Sequence, residues 1–196
     1  MATTTPNLAY SGITEKTPGN ILLGAGTIYR DLKWDSTAKG WSGTVVGATS
    51  GGNKFSIKPT ITQIEVDGAW VDVAQLDVKQ GGTAELEINF IELSPDIVKL
   101  AAIAKEATTS PDGYTLLEDK PKIENGDYLT NIAFVGHRMD GKPIVVILDN
   151  AICTSGIEVE GKNKDAATSK LTFEARQSIT GDLTTIPYHV YFPKVA

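Results

Sequence analysis

Apolar and polar residues alternate with a period of two through most of this chain. In Thr168 to Gln177, Leu171, Phe173 and Ala175 fall on one side, and Lys170, Thr172, Glu174 and Arg176 on the other. In Thr83 to Ile91, Leu86, Ile88 and Phe90 oppose Glu85, Glu87 and Asn89. Such alternation predicts half-buried strands of antiparallel sheets. The segment Thr60 to Ala107 is the richest in signals. It reads as a strand (Ile61 to Val66), an Asp67-Gly68 turn, a strand (Val71 to Val78), a strand (Thr83 to Ile91) and then a helix (Ser94 to Ala107). Asp-Gly between apolar runs is a strong hairpin signal because the turn needs positive φ. Ser94-Pro95-Asp96 supplies a side-chain cap, a proline at the first helical position and an early acid. Ile97, Leu100, Ala101 and Ala104 then form an apolar stripe.

Elsewhere the pattern predicts a strand at Ile21 to Leu32, softened by Gly24 and Gly26, and a hairpin of Leu129 to Met139 with Pro143 to Thr154 about Asp140-Gly141. Further strands are expected at Gly156 to Glu160, Thr168 to Ile179 and Tyr188 to Phe192. Between Asp35 and Asn53 lies a Gly-, Ser- and Thr-rich excursion holding Trp41 and a short strand, Thr44 to Gly47. It is either a floppy loop or an arm that orders on a partner. Residues 1–20 are polar and read as a flexible N-terminal arm, and residues 21–196 as a single β domain. One run breaks the alternation. Ile144-Val145-Val146-Ile147-Leu148 is apolar on both sides and must be covered on both, within the chain or by another subunit. The fold class is therefore mainly β: an antiparallel β-sandwich or partly open barrel with one flanking helix, about 94–107, and a long Gly/Ser-rich loop or hairpin.

Composition narrows the function. With 18 basic against 24 acidic residues the net charge is −6, and no Lys/Arg cluster offers a grip on a phosphate backbone. Apolar residues make up 41% of the 196, enough for a proper core. No apolar run approaches a membrane span, and the first residues predict no secretory signal. The one cysteine, Cys153, forms no internal disulfide and suits synthesis in a reducing compartment. Catalytic chemistry is thin. His137 shares a strand side with Ala133, Val135 and Met139 and reads as a satisfied, partly buried histidine; His189 occupies an ordinary strand position. These two and one cysteine are too few for a zinc site, and Cys153 reads as a small buried hydrophobe. Gly24-Ala25-Gly26 lacks the third glycine and the helix of a dinucleotide site. Glu85/Glu87 and Glu158/Glu160 have the spacing of paired carboxylates, but alternating Glu is also the ordinary pattern of a solvated strand. No enzyme, cofactor or metal is expected.

The order of these motifs resembles the major tail tube proteins of long-tailed bacteriophages and related phage-like tails. The resemblance rests on the Gly-rich strand from Asn20 to Tyr29, the Gly/Ser excursion and the run from Ile57 to Gly68. It continues through Gly81-Gly-Thr-Ala-Glu-Leu-Glu, which leads into Leu93-Ser-Pro-Asp, and through Leu171-Thr-Phe-Glu-Ala-Arg and Ile186-Pro-Tyr. It spans most of residues 20–192 and is carried by spacing, since these are packing and turn residues. The resemblance implies a structural virion protein, made in the host bacterial cytoplasm. It would polymerise as stacked, hexameric rings into a hollow tail tube that conducts DNA during ejection. Its partners would be itself, the tape measure and other tail proteins, and DNA passing through the lumen without specific binding, with no membrane. The excursion at 35–56 would reach the adjacent ring, which makes Trp41, Thr44, Val45, Val46 and Phe55 candidate inter-ring or inter-subunit contacts. Glu85, Glu87 and Asn89 form either a lumen face or an outer solvated face. The family has no active site, so none is transferred.

A different class also fits the composition: a β-sandwich binding module, such as an adhesin, a carbohydrate-binding domain or a capsid decoration protein. Trp34, Trp41 and Trp70 would then be its sugar-stacking candidates.

Overall fold

A computed structural model describes residues 11–161 and 163–194. In chain order it contains β1 (Leu22–Asp35), β2 (Gly40–Val45), β3 (Lys54–Gln63), β4 (Asp77–Phe90), α1 (Pro95–Ala102), β5 (Lys105–Glu106), β6 (Leu117–Glu118), β7 (Leu129–Arg138), β8 (Pro143–Cys153), β9 (Ser169–Glu174) and β10 (Tyr188–Tyr191). All the strand pairs are antiparallel. One sheet runs β2-β1-β7-β8, with β10 on the far side of β8; the other runs β8-β9-β4-β3. The protein is thus a mainly β, antiparallel sandwich with a flanking helix, and β8 is the strand both sheets share.

A single irregularity lets β8 serve both sheets. Ile144, Val146 and Leu148 enter the main core, but beyond them Ala151 and Cys153 do so. The alternation slips by one residue at Asn150, whose φ of 46° is the left-handed conformation that asparagine tolerates better than most residues. Against this side of β8 pack Ile28, Leu86, Ile88, Phe90, Phe134 and Phe173, together with Ile97 and Ala101 of α1.

The other side of the two-faced run is covered by the chain itself. Val145 and Ile147 are buried with Leu32 and Ala133, beneath half-buried Tyr29, Trp41 and Val135. The cover comes from β1 and β2. At Asp31 (φ 54°) β1 gains an extra residue, and its register with β2 shifts between Arg30 and Lys33. The backbone of Leu32 is clasped there by the carboxamide of Asn131, which accepts from the Leu32 N–H at 2.8 Å and donates to the Leu32 carbonyl at 3.0 Å. The hairpin then folds across β7 and β8 until Trp41 meets Tyr191 of β10, with ring centroids 4.9 Å apart.

Several boundaries differ from the sequence expectation. The excursion at 35–53 is ordered within the chain: Gly40–Val45 pairs with β1, although only Thr44 to Gly47 was expected as strand. The expected strand Val71 to Val78 does not form as such: Ala74–Leu76 is a 3₁₀ turn, and only the segment's last two residues, Asp77 and Val78, open β4. That strand runs on through the expected Thr83 to Ile91 and is kinked by an extra residue where Gln80 and Gly81 lie between the pairs Pro59↔Gly82 and Ile61↔Lys79. Gly82 is required there, since a Cβ would sit 2.3 Å from the Lys58 carbonyl oxygen. Asp67-Gly68 does turn, with Gly68 at φ 87°, but within a longer loop closed by the Ile64 N–H on the Leu76 carbonyl at 3.0 Å. α1 is capped as expected, Ser94 Oγ accepting from the Ile97 N–H at 3.2 Å, yet it ends at Ala102 because Ile103 turns left-handed (φ 52°). Gly156 to Glu160 is not a strand among the described residues: Glu160 bridges to Thr168, and Ile157 packs against the main core. His137 is exposed rather than partly buried, because it sits at the β7 end opposite Pro143. Of the N-terminal arm, residues 1–10 lie outside the described residues; Ser11 to Asn20 run to a 3₁₀ turn at Pro18–Asn20.

Gly24-Ala25-Gly26, chemically empty as a nucleotide motif, has a structural use. Between the pairs Leu23↔His137 and Thr27↔Val135, β1 carries two more residues than β7, and both glycines have positive φ. The Phe134 ring lies against Gly26 so closely that a Cβ would come within 2.2 Å of it.

If Leu32 is core, Leu32→Ala should cost about 2–4 kcal/mol in denaturant unfolding with an unchanged m-value. A cost below about 0.5 kcal/mol, the range of ordinary surface changes, would mean that the hairpin does not cover β8.

Candidate assembly surfaces

The alternation of β4 turns Thr83, Glu85, Glu87 and Asn89 to the outer side of its sheet, while Ala84, Leu86, Ile88 and Phe90 are buried. Neighbouring strands complete that surface: Lys54 and Ser56 of β3 stand opposite Glu87 and Glu85, and Lys170 and Glu174 of β9 stand opposite Asn89 and Glu85. Two lysines converge on Glu87, Lys54 Nζ on Oε1 and Lys170 Nζ on Oε2, each at 2.6 Å. These charge-assisted bonds hold the Glu87 carboxyl down from 4.5 to about 2 against the opposing effect of burial. The same contact raises Lys54. Asn89 is also engaged, donating to the Gly52 carbonyl at 2.7 Å. Asn53 in turn donates to the Ala25 carbonyl at 2.9 Å, which ties the β2–β3 connection to both sheets. The three residues do share a surface, but it is a mixed-charge ladder and not a bare acidic stripe.

The second group is dispersed. Thr44 and Val45 are exposed on β2, a strand with β1 as its one strand partner among the described residues. Val46 is half-buried against the main core, and its N–H bonds the Ile28 carbonyl at 3.0 Å. Trp41 lies between Trp34 and Tyr191, its ring centroid 5.4 Å and 4.9 Å from theirs. Phe55, on β3, meets the Phe134 ring with centroids 5.8 Å apart, yet stays 37% exposed. Trp41, Val46 and Phe55 thus contribute to the chain's own packing, while Thr44, Val45 and Phe55 lie on the edge strands β2 and β3.

Known proteins add little. No protein-family model matches this chain, and no curated protein does. Among solved structures, it is similar to a chain in the tail of an empty GTA particle, computed with helical refinement in C6 symmetry. The two are 12% identical over 81% of this chain and 96% of that chain, with a TM-score of 0.38. A likeness at this level supports no functional assignment.

The sugar-stacking candidates Trp34, Trp41 and Trp70 are divided between two surfaces, Trp34 and Trp41 sharing a groove and Trp70 standing apart on an arm, and neither surface as such was legible in the sequence. From Lys58 to Thr83 no residue is buried: the far ends of β3 and β4 and their loop leave the sandwich as a two-stranded arm. Trp70 on that loop is 97% exposed, Val71 77% and Ile61 62%. Elsewhere, Trp34, Trp41, Tyr191 and Phe192 line an open groove of about 910 Å³. The signal for the arm was present in the hairpin pattern about Asp67-Gly68, but nothing in it shows that the apolar residues on either side lack a covering layer. The groove joins β1, β2, β8 and the C-terminal strand, and no local pattern shows that. Among the described residues no cluster of three or more His, Cys, Asp or Glu could hold a metal ion, and no helix is long and apolar enough to cross a membrane. His189 Nε2 lies 2.9 Å from Asp149 Oδ2 on an exposed strand, and Cys153 is buried in the main core.

The depressed Glu87 carboxyl gives a signed pH dependence. Its contribution is full above the unfolded value near 4.5 and is lost as pH falls towards about 2. Because Lys54 and Lys170 are more than half exposed, the contribution is about 1–2 kcal/mol after solvent screening. Urea denaturation from pH 6 to pH 2 should show Glu87→Gln less stable at neutral pH and nearly equal to the parent at the acid end. A constant gap at every pH would show that the carboxylate is not the cause.

Proposed function

We propose that this chain is a non-catalytic structural subunit of a phage-type tail, assembling with itself as rings that stack into the hollow tube through which DNA leaves. The observation that carries this reading is an unfinished surface around a finished core. Both sides of β8 are covered from within the chain, yet among the described residues β2 and β3 each pair with one strand. Open strand edges are pairing sites that proteins protect or fill, and a ring of subunits fills them. The order of the sequence motifs agrees with the same reading, as does a net charge of −6 that does not hold DNA back. Its place would be the virion tail, with tail proteins and transiting DNA as partners.

The aromatic groove favours a second reading, a glycan-binding module in which Trp34, Trp41 and Tyr191 stack on sugar rings. Negative-stain microscopy and light scattering across a concentration series separate the two. Six-fold rings or hollow tubes are expected. A chain that stays monomeric throughout and binds a glycan saturably would replace the tube with the module.

Within the tube reading, the outer side of β4 faces the lumen. Glu85→Lys is the cleaner probe, because it leaves the Lys54–Glu87–Lys170 cluster intact. Tubes should still form, and DNA ejection should slow as the lumen gains positive charge. Unchanged ejection through intact tubes would move this surface to the outside.

A further inference from the structure

We infer that the arm at 58–83 docks its tip into the aromatic groove of a second copy of this chain, a head-to-tail contact that deepens the self-assembly reading above. The arm is ordered by its own bonds. Ile61, Thr62 and Gln63 pair with Lys79, Val78 and Asp77. Thr62 Oγ1 donates to Gln80 Oε1 at 3.1 Å, and Gln63 Nε2 donates to the Val73 carbonyl at 2.9 Å. A two-stranded ribbon has no core and is marginal alone, yet this one presents Ile61, Ile64, Val66, Trp70, Val71 and Val78 to water. Contiguous exposure of this kind marks an interaction surface, and a preformed ribbon loses little entropy on docking.

The occupant follows from the chemistry of both surfaces. The tip, residues 63–76, carries Glu65, Asp67 and Asp72 and no basic residue. Among the described residues, the groove has Lys39 and Lys194 as its charged lining and no acid, around Trp34, Trp41, Tyr191 and Phe192. Each is therefore apolar at its centre, and the two are opposite in charge, the arrangement that fixes partner and register. The groove's 910 Å³ lies at the upper end of the roughly 300–1,000 Å³ found in clefts that enclose a whole ligand, so an indole and its flanking valine fit. The arm does not fill its own groove, since Trp70 is 97% exposed while the groove stands open. A contact between two different surfaces of identical chains repeats, and it closes a ring or extends a filament according to its rotation.

The test is cross-linking in the full-length protein on a Cys153→Ala background, which removes the one native thiol. Val71→Cys and Lys194→Cys variants, mixed under mild oxidation, should give a disulfide between chains. Adding Trp70→Ser to the arm variant should weaken the association by roughly 30-fold, the effect of truncating a central tryptophan anchor. Folding should be untouched, because Trp70 packs on almost nothing in its own chain, and an unchanged melting temperature checks this. Cross-linking no greater than that of Val71→Cys mixed with Lys122→Cys overturns the inference, as does a disulfide confined to one chain when both cysteines are placed together. The outcome is separable from the tube itself. Tubes that form unaltered from Trp70→Ser protein refute the docking and leave the tube standing; a specific cross-link without rings or tubes does the reverse.

Discussion

Everything in this fold answers to five consecutive apolar residues, Ile144 to Leu148, which no single layer can keep dry. A strand buried on one side needs one partner layer; this one needs two. The first is the opposite sheet with α1, which meets Ile144, Val146 and Leu148. The second is unusual in being the protein's own β1–β2 hairpin, bent at Asp31 and laid back across Val145 and Ile147. The bend interrupts regular strand pairing, and buried backbone groups left without partners are costly. Asn131 removes that cost by supplying both an acceptor and a donor to Leu32. The slip at Asn150 does the corresponding work in β8, keeping apolar residues inward as the strand passes from one sheet to the other.

Once the core is sealed from within, what remains exposed takes on meaning. The outer side of β4 is neutralised by cross-strand pairing of Glu87 with Lys54 and Lys170, so it is suited to lie against water or passing solute without sticking. The β2 and β3 edges and the arm are the opposite case. Among the described residues they leave backbone pairing positions without a strand partner and large apolar side chains exposed. The contrast between a complete interior and an incomplete periphery is the physical content of the assembly reading, and it needs no catalytic group.

The sequence by itself determined most of the long strands, which side of β4 and β9 is buried, and where the helix begins. Those features depend on the period of two in β4 and β9, on the Asp140-Gly141 hairpin and on the Ser94 cap, all local effects legible in neighbouring residues. The need to cover both sides of Ile144–Leu148 was equally plain. Tertiary structure alone decided what covers them, because a hairpin folding back from Leu32 to Tyr191 joins residues far apart in the chain and is announced by no local pattern. It also decided that Gly24-Ala25-Gly26 and Gly81-Gly82 are places where the chain widens inside a strand. A glycine pair reads alike as a break or a bulge until the partner strand fixes the register. Helix α1 stops at Ile103 for a similar reason: a left-handed isoleucine, whose N–H closes on the Lys99 carbonyl, has no propensity signature. The candidate surfaces divide the same way. The composition of each strand could be read in one dimension, but whether Phe55 finds a ring such as Phe134 or Trp70 stays in water depends on which layer lies against it, and that is settled only when the sheets stack.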